Sequence, residues 1–409
     1  MTIPGSIVGT AGPEPEPLMG TGALETSPIG RRHLPGLDGL RGGAILLVLV
    51  CHYSLVLPKS FAPAGVLVNG WTGVDLFFVL SGFLITGILF DAKGTRHYFR
   101  NFYARRVLRI FPLYYGFLFI LLISLLILKF APWKSVESIR SASATDIQNL
   151  WGFQPWLWTY TANIRMAFYK SWTDWLDLIA PLWSLSVEEQ FYLVWPLVVC
   201  SLSHRKLMKV CVGIMIGALG VRLLLTARGT DFFANYVLTP TRADSLAAGA
   251  LVALLLRLPD GERITRKLCK YSGAIGAVLV CALAAGFDPR HPWLRDLLYS
   301  ALALFFAALL FWSIDGKSLY GIPKRFYEVR LMRALGGYSY GIYVVHLPIL
   351  MVTKSLLASH AFFDPARESW IAACTLIALN MALTCGFAFL SFHLYEKQFL
   401  KLKRYFPEG

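Results

Sequence analysis

The sequence predicts an all-α polytopic membrane protein, with about ten transmembrane helices and both termini in the cytoplasm. Three observations lead there. Hydrophobic residues fill 56% of the 409 positions and charged residues only 15%, against about a quarter charged in an ordinary soluble domain. Apolar runs of about 17–25 residues, the length that crosses a bilayer as a helix, recur along the chain, whose mean hydropathy is +0.55. The Lys and Arg residues between those runs alternate between rich and poor segments, as cytoplasmic and external loops do.

Taken in order, residues 1–33 stand apart: "MTIPGSIVGTAGPEPEPLMGTGALETSPIGRRH" is rich in Pro, Gly, Ser and Thr and offers no apolar face. It predicts a disordered cytoplasmic tail. With no basic stretch leading into an apolar one, it is not a signal peptide. The apolar runs follow at 40–57, 73–90, 108–128, 183–201, 207–226, 240–257, 271–287, 293–313, 334–353 and 370–393. Between the third and fourth, the segment 129–182 carries Trp133, Trp151, Trp156, Trp158, Trp172 and Trp175. That composition predicts an external loop against the membrane interface or over a cavity. Residues 398–409 read as a short basic cytoplasmic tail.

Basic clusters at 93–109, 205–209, 257–270, 317–333 and 397–404 fall on alternate connections and place those inside. The net charge of +15 therefore reflects topology. The basic residues form neither one patch nor an RNA-binding motif, so no nucleic acid is expected as a partner. The seven cysteines include no CxxC pair and sit mostly in apolar runs, where they read as packing residues; no metal is expected.

Titratable groups inside a span are costly and are functional candidates by default. The first run, "LDGLRGGAILLVLVCHY" (37–53), holds Asp38, Arg41 and His52. Arg41 is expected near the cytoplasmic end, with His52 roughly 16 Å farther out along the helix. Asp75 opens the second run in "GVDLFFVLSGFLI", and Arg106 and Arg109 open the third in "ARRVLRIFPLYY". The fourth opens with "PLWSLSVEEQFYLVWP", which puts Ser184 and Glu188 one turn apart on one face. Arg242 and Asp244 begin the sixth in "TPTRADSLAAG", and His346 lies in the ninth in "GYSYGIYVVHLPI". His52, Asp75, Glu188, Arg242, Asp244 and His346 are thus expected to converge in the outer half. A histidine beside a carboxylate, Glu188 or Asp75, is a general base with an orienting partner. Each has a structural alternative: Arg106 and Arg109 as topological anchors, Asp38 as a helix cap, Ser184 as an N-cap residue, Arg242 and Asp244 as an ion pair, His346 as a packing residue.

Seven motifs in order, "LDGLRG…H", "GVDLFFVLSGFLI", "RRVLRIFPLYY", "WSLSVEEQFYLVWP", "R.DSL..G", "YSYGIYVVHLPI" and "FHLYEK", resemble the membrane acyltransferase-3 family from about residue 33 to 397. The resemblance implies an acyltransferase domain over 34–397. Family members carry ten membrane helices and transfer acyl groups, usually acetyl, to carbohydrates of the bacterial envelope or to secreted glycans and lipids. Arg41 and His52 match the family's arginine–histidine pair, Arg106 and Arg109 its double arginine, Ser184 and Glu188 its serine–glutamate motif. The family often has Pro after the final "EK", where this chain has Gln398. Many relatives carry an added hydrolase-like domain outside the membrane, which this chain is expected to lack.

On that resemblance the donor is acetyl-CoA or another acyl-CoA, bound by Arg41, Arg106 and Arg109. The acceptor is a carbohydrate or glycolipid, with Arg242, Asp244 and His346 as weaker candidates to bind it. His52, Glu188, Asp75 and Ser184 are the catalytic candidates, and the location is the cytoplasmic (inner) membrane. Arginines suit the donor's phosphates through charge-assisted hydrogen bonds. Direct transfer and an acyl-histidine intermediate both remain open. A transporter is the main alternative, since buried charges in spans suit one, although no inverted repeat is visible. A non-enzymatic membrane scaffold is another, which the intact His52 disfavours.

Overall fold

A computed structural model describes residues 35–58, 64–130, 144–169, 178–230, 232–284, 292–315, 329–358 and 369–407. Among them every regular element is helical and no strand occurs, as uninterrupted apolar runs require in lipid, where each backbone group must find its partner within its own segment. The principal helices are α1 (Pro35–Ser54), α2 (Gly73–Asp91), α3 (Tyr98–Phe130), α4 (Ala144–Trp158), α5 (Ala162–Tyr169), α6 (Leu182–Ser201) and α7 (His204–Ala227). They continue with α8 (Phe232–Val237), α9 (Thr239–Leu255), α10 (Gly261–Ala284), α11 (Pro292–Asp315), α12 (Arg330–Ala358) and α13 (Trp370–Ser391).

Seven helical stretches among the described residues are long and apolar enough to cross a membrane: those containing α1, α2, α3, α7, α11, α12 and α13. The other three apolar runs are helical as well but differ in composition or length. Glu188, Glu189 and Gln190 dilute α6, α9 has only 17 residues, and the first ten residues of α10 include Glu262, Arg263, Arg266, Lys267 and Lys270. Phe119, Ile120 and Ile123 on α3, Ile216 on α7 and Leu390 on α13 are exposed, an apolar exterior of the kind that faces lipid.

Two glycine contacts set the geometry of the centre. A Cβ on Gly42 would lie 2.0 Å from the Met332 carbonyl oxygen, and one on Gly336 would lie 1.8 Å from that of Asp38, so the backbones of α1 and α12 touch. The same holds for α2 and α9, where a Cβ on Gly82 would lie 1.9 Å from the Leu246 oxygen and one on Gly249 1.9 Å from the Val79 oxygen. Membrane helices associate through such close packing, because lipid gives no hydrophobic drive to bring them together. The first contact sets the His52 face of α1 against α12; the second sets Asp75 against α9.

The tryptophan-rich segment 129–182, expected as a loop, contains α4 and α5. Tyr114 Oη donates to the Leu157 carbonyl at 2.8 Å and Tyr115 Oη to that of Trp158 at 3.2 Å, fastening α4 to α3. Trp133, Trp172 and Trp175 lie outside the described residues, as does the tail 1–33. After α13 the chain passes through a π-helical turn, Phe392–Glu396, and short helical turns to Tyr405. Its end rests on α3, with Arg105 Nη1 donating to the Phe406 carbonyl at 2.8 Å and Asn101 Nδ2 to that of Pro407 at 3.0 Å.

Candidate active site

His52 ends α1 in contact with His346 of α12. His346 Nδ1 is 2.7 Å from the Tyr343 carbonyl, and its Nε2 is 3.1 Å from His52 Nδ1, which is also 3.0 Å from the Val48 carbonyl. A carbonyl only accepts, so both Nδ1 atoms carry protons. With the rings neutral, His346 Nε2 is then an acceptor, and His52 donates its Nδ1 proton between that nitrogen and Val48. The free lone pair of His52 lies on Nε2. The expected carboxylate partner is thereby corrected: a second histidine and a backbone carbonyl hold this ring, not Glu188 or Asp75.

Two cavities meet near this pair. The larger, about 640 Å³, is bordered by His52, Leu55, Trp71, Trp183, Phe232, Tyr236, Arg295, Tyr299 and Tyr343. The smaller, about 130 Å³, is bordered by Arg41, Ser81, Arg106, Arg109, Ser184, Glu188, Tyr192 and Tyr340. Val74 and Tyr343 border both. Ser184 Oγ donates to the Pro181 carbonyl at 3.1 Å, so the 2.6 Å contact with Tyr343 is donated by the tyrosine hydroxyl. Ser184 and Tyr343 therefore form a hydrogen-bonded partition where the cavities adjoin.

The smaller cavity gathers three cations from two helices. Arg106 and Arg109 lie on α3 two and three turns beyond its start, Arg41 lies on α1, and both α3 arginines act electrostatically on Arg41. Arg41 Nη1 pairs with Asp38 Oδ1 at 2.7 Å, so Asp38 is an ion-pair partner within the first turn. Glu188 hydrogen-bonds with Ser81 and Tyr192 and interacts with Arg106 and Arg41; Ser81 and Tyr192 also bond to each other. Like charges held this close repel one another, so the cluster suits a ligand of several negative charges.

The remaining candidates form a buried ionic core beside the larger cavity. Arg242 Nη2 donates to Asp75 Oδ1 at 2.7 Å, Ser245 Oγ donates to the same oxygen at 3.1 Å, and Arg222 Nη2 donates to Asp244 Oδ2 at 2.7 Å. Arg242 and Asp244 thus find partners on other helices instead of each other. Arg242 also lies 4.3 Å from the Tyr299 ring centroid, beneath the cavity wall. Arg222, missed in the sequence, is fully buried and signalled its role as the lone charge amid "GVRLLL". Tyr343 and Tyr192 were also missed: tyrosines inside apolar motifs read as packing until a partner is seen. No group of His, Cys, Asp and Glu suited to a metal occurs among the described residues.

Comparison with known proteins agrees with these motifs. A family model described as an acyltransferase domain matches residues 34–389. The peptidoglycan O-acetyltransferase OatA of Listeria monocytogenes is 29% identical over 349 residues, covering 81% of this chain and 52% of that protein. The O-acetyltransferase OatA of Staphylococcus aureus is 27% identical over 343 residues, covering 79% of this chain and 52% of that protein. The chain thus spans about half the length of these relatives. No solved structure matches. With seven motifs in order, an entirely helical described fold and a match over most of its length, the chain belongs to the acyltransferase-3 family.

Proposed function

We propose that this protein is an integral membrane O-acyltransferase. It moves an acyl group, acetyl by analogy with the named relatives, from cytoplasmic acyl-CoA to a hydroxyl of an extracytoplasmic or lipid-linked carbohydrate of the cell envelope. The carrying observation is the pair of adjoining cavities, one lined by arginines and the other bordered by His52. Ten spans with both termini inside, in the cytoplasmic membrane, complete this reading; the alternation of loop charge supports it.

The donor is a substrate, and the smaller cavity suits its anionic end. Arg41, Arg106 and Arg109 would hold its phosphates, with Glu188 positioning Arg41 and Arg106. The pantetheine arm, on the order of half a span long, would pass Val74 and Tyr343 to bring the thioester to His52. The acceptor hydroxyl enters through the larger cavity. Its oxygen attacks the thioester carbonyl while His52 Nε2 takes its proton. The new C–O bond forms, the C–S bond breaks, and the proton passes from His52 to the departing thiolate. His346 keeps His52 Nδ1 protonated throughout, so that Nε2 remains the basic nitrogen. Direct transfer needs only these groups. Asp75, Arg242 and Asp244 serve here as the rigid ionic wall of the acceptor cavity.

Purified protein in lipid nanodiscs, supplied with radiolabelled acetyl-CoA and envelope glycans, tests this. Label should pass to the glycan with wild type and not with His52→Ala. Equal labelling by both proteins would refute the assignment of His52, and no labelling by either would refute the transferase reading.

A further inference from the structure

The larger cavity contains a cation that the proposed chemistry does not use. Arg295, in the first turn of α11, borders it, with its guanidinium 4.9 Å from the Phe232 ring centroid. Its Nε is buried without a hydrogen-bond partner, and no carboxylate among the described residues pairs with it. The buried arginines nearby differ: Arg242 is bound to Asp75 and Arg222 to Asp244. The carboxylate adjoining Arg295 in sequence is already engaged, since Asp296 accepts from Asn235 at 3.1 Å and from Thr226 at 2.6 Å. An arginine withdrawn from water without an anion is costly, and the cost is offset when a ligand supplies one.

The geometry points to Arg295 as the acceptor-recognition residue, binding a carboxylate carried by the saccharide whose hydroxyl is presented to His52. This rests on reading the larger cavity as the acceptor site. The other walls fit a sugar: Trp71, Trp183, Phe232, Tyr236 and Tyr299 offer broad aromatic surfaces with polar edges. Arg295 supplies the fixed fork that grips a planar carboxylate through two parallel hydrogen bonds. His52 and Arg295 border the same cavity from α1 and α11, so an acidic saccharide held at Arg295 has a defined orientation towards the base. The acceptor is therefore an acidic sugar or acidic glycan rather than a neutral one. A lipid phosphate is the other source of an oxyanion for Arg295, and the experiment separates the two.

The probe is the disaccharide of N-acetylglucosamine and N-acetylmuramic acid with a free lactyl carboxylate, compared with its uncharged carboxamide. Binding of each is measured calorimetrically to wild type, Arg295→Gln, Arg295→Lys and His52→Ala in phosphatidylcholine nanodiscs. Wild type and His52→Ala should both prefer the acid by about tenfold or more, the value of a charged hydrogen-bonded contact. Arg295→Gln should lose that preference while keeping its affinity for the carboxamide, and Arg295→Lys should recover part of it. No preference for the acid in wild type, or an equal loss for both ligands in Arg295→Gln, overturns the proposal; the latter is the result expected if Arg295 serves a lipid phosphate. Because binding is read without turnover, absence of acyl transfer would count against the transferase reading and leave the acid preference to be judged by itself.

Discussion

Replacing His346 with Phe removes the acceptor facing His52 Nδ1 while nearly conserving ring volume. The Tyr343 carbonyl loses one donor, but it lies within α12, where the helix supplies another. His52 then retains only the Val48 carbonyl, 3.0 Å away, to hold its Nδ1 proton. One neutral hydrogen bond is worth about 0.5–1.5 kcal/mol net. His346→Phe should accordingly slow transfer about two- to thirteenfold, through a smaller share of the competent tautomer. Losing a positioned general base costs about 100- to 10,000-fold, so His52→Ala should fall well below His346→Phe. Groups that act as one unit are not additive, so the double variant should be no slower than His52→Ala. The assay is initial-rate acetyl transfer per monodisperse protein in nanodiscs, at saturating donor. A folded His346→Phe protein as inactive as His52→Ala would refute the reasoning, since His346 would then carry the proton itself. No change at all would show that the contact does not control the tautomer.

Arg106→Ala and Arg109→Ala should raise the apparent KM for acetyl-CoA more than they lower kcat, with Lys restoring only part because it cannot reproduce a bidentate contact; donor titrations decide, and an unchanged KM would make them topological anchors. Gly82→Ala puts a Cβ against the Leu246 carbonyl, 1.9 Å away in the present backbone, and should destabilise the α2–α9 contact by about 1–3 kcal/mol. Gly220→Ala, with nothing within 4 Å, should be tolerated; thermal melts of the two purified variants check both. Reporter fusions at residues 95, 260, 325 and 405 should report the cytoplasm and those at 150 and 290 the exterior, and a cytoplasmic signal at 150 would reverse the sidedness of the mechanism.

Local composition was enough to mark the helical elements. Apolar runs too long for anything but helices could be read directly from the chain, because a backbone in hydrocarbon must satisfy itself within one segment. Motif order carried the family, and placing Arg41, Arg106 and Arg109 together as a basic group needed only the alternation of loop charge. Pairing belonged to the tertiary structure. His52 could be singled out from its own run, but its partner is 294 residues away and is His346 rather than Glu188. That choice is made by Gly42 and Gly336, which let α1 and α12 touch at their backbones. In the same way Arg242 and Asp244, neighbours in sequence, are separated in function because the α2–α9 contact delivers Asp75 to the one and the packing of α7 delivers Arg222 to the other. Arg295 read as one more loop charge until the cavity beside it was visible. A sequence records which groups are costly to bury; only helix packing decides which of them meet, because partner choice depends on backbone approach and register between segments remote in the chain.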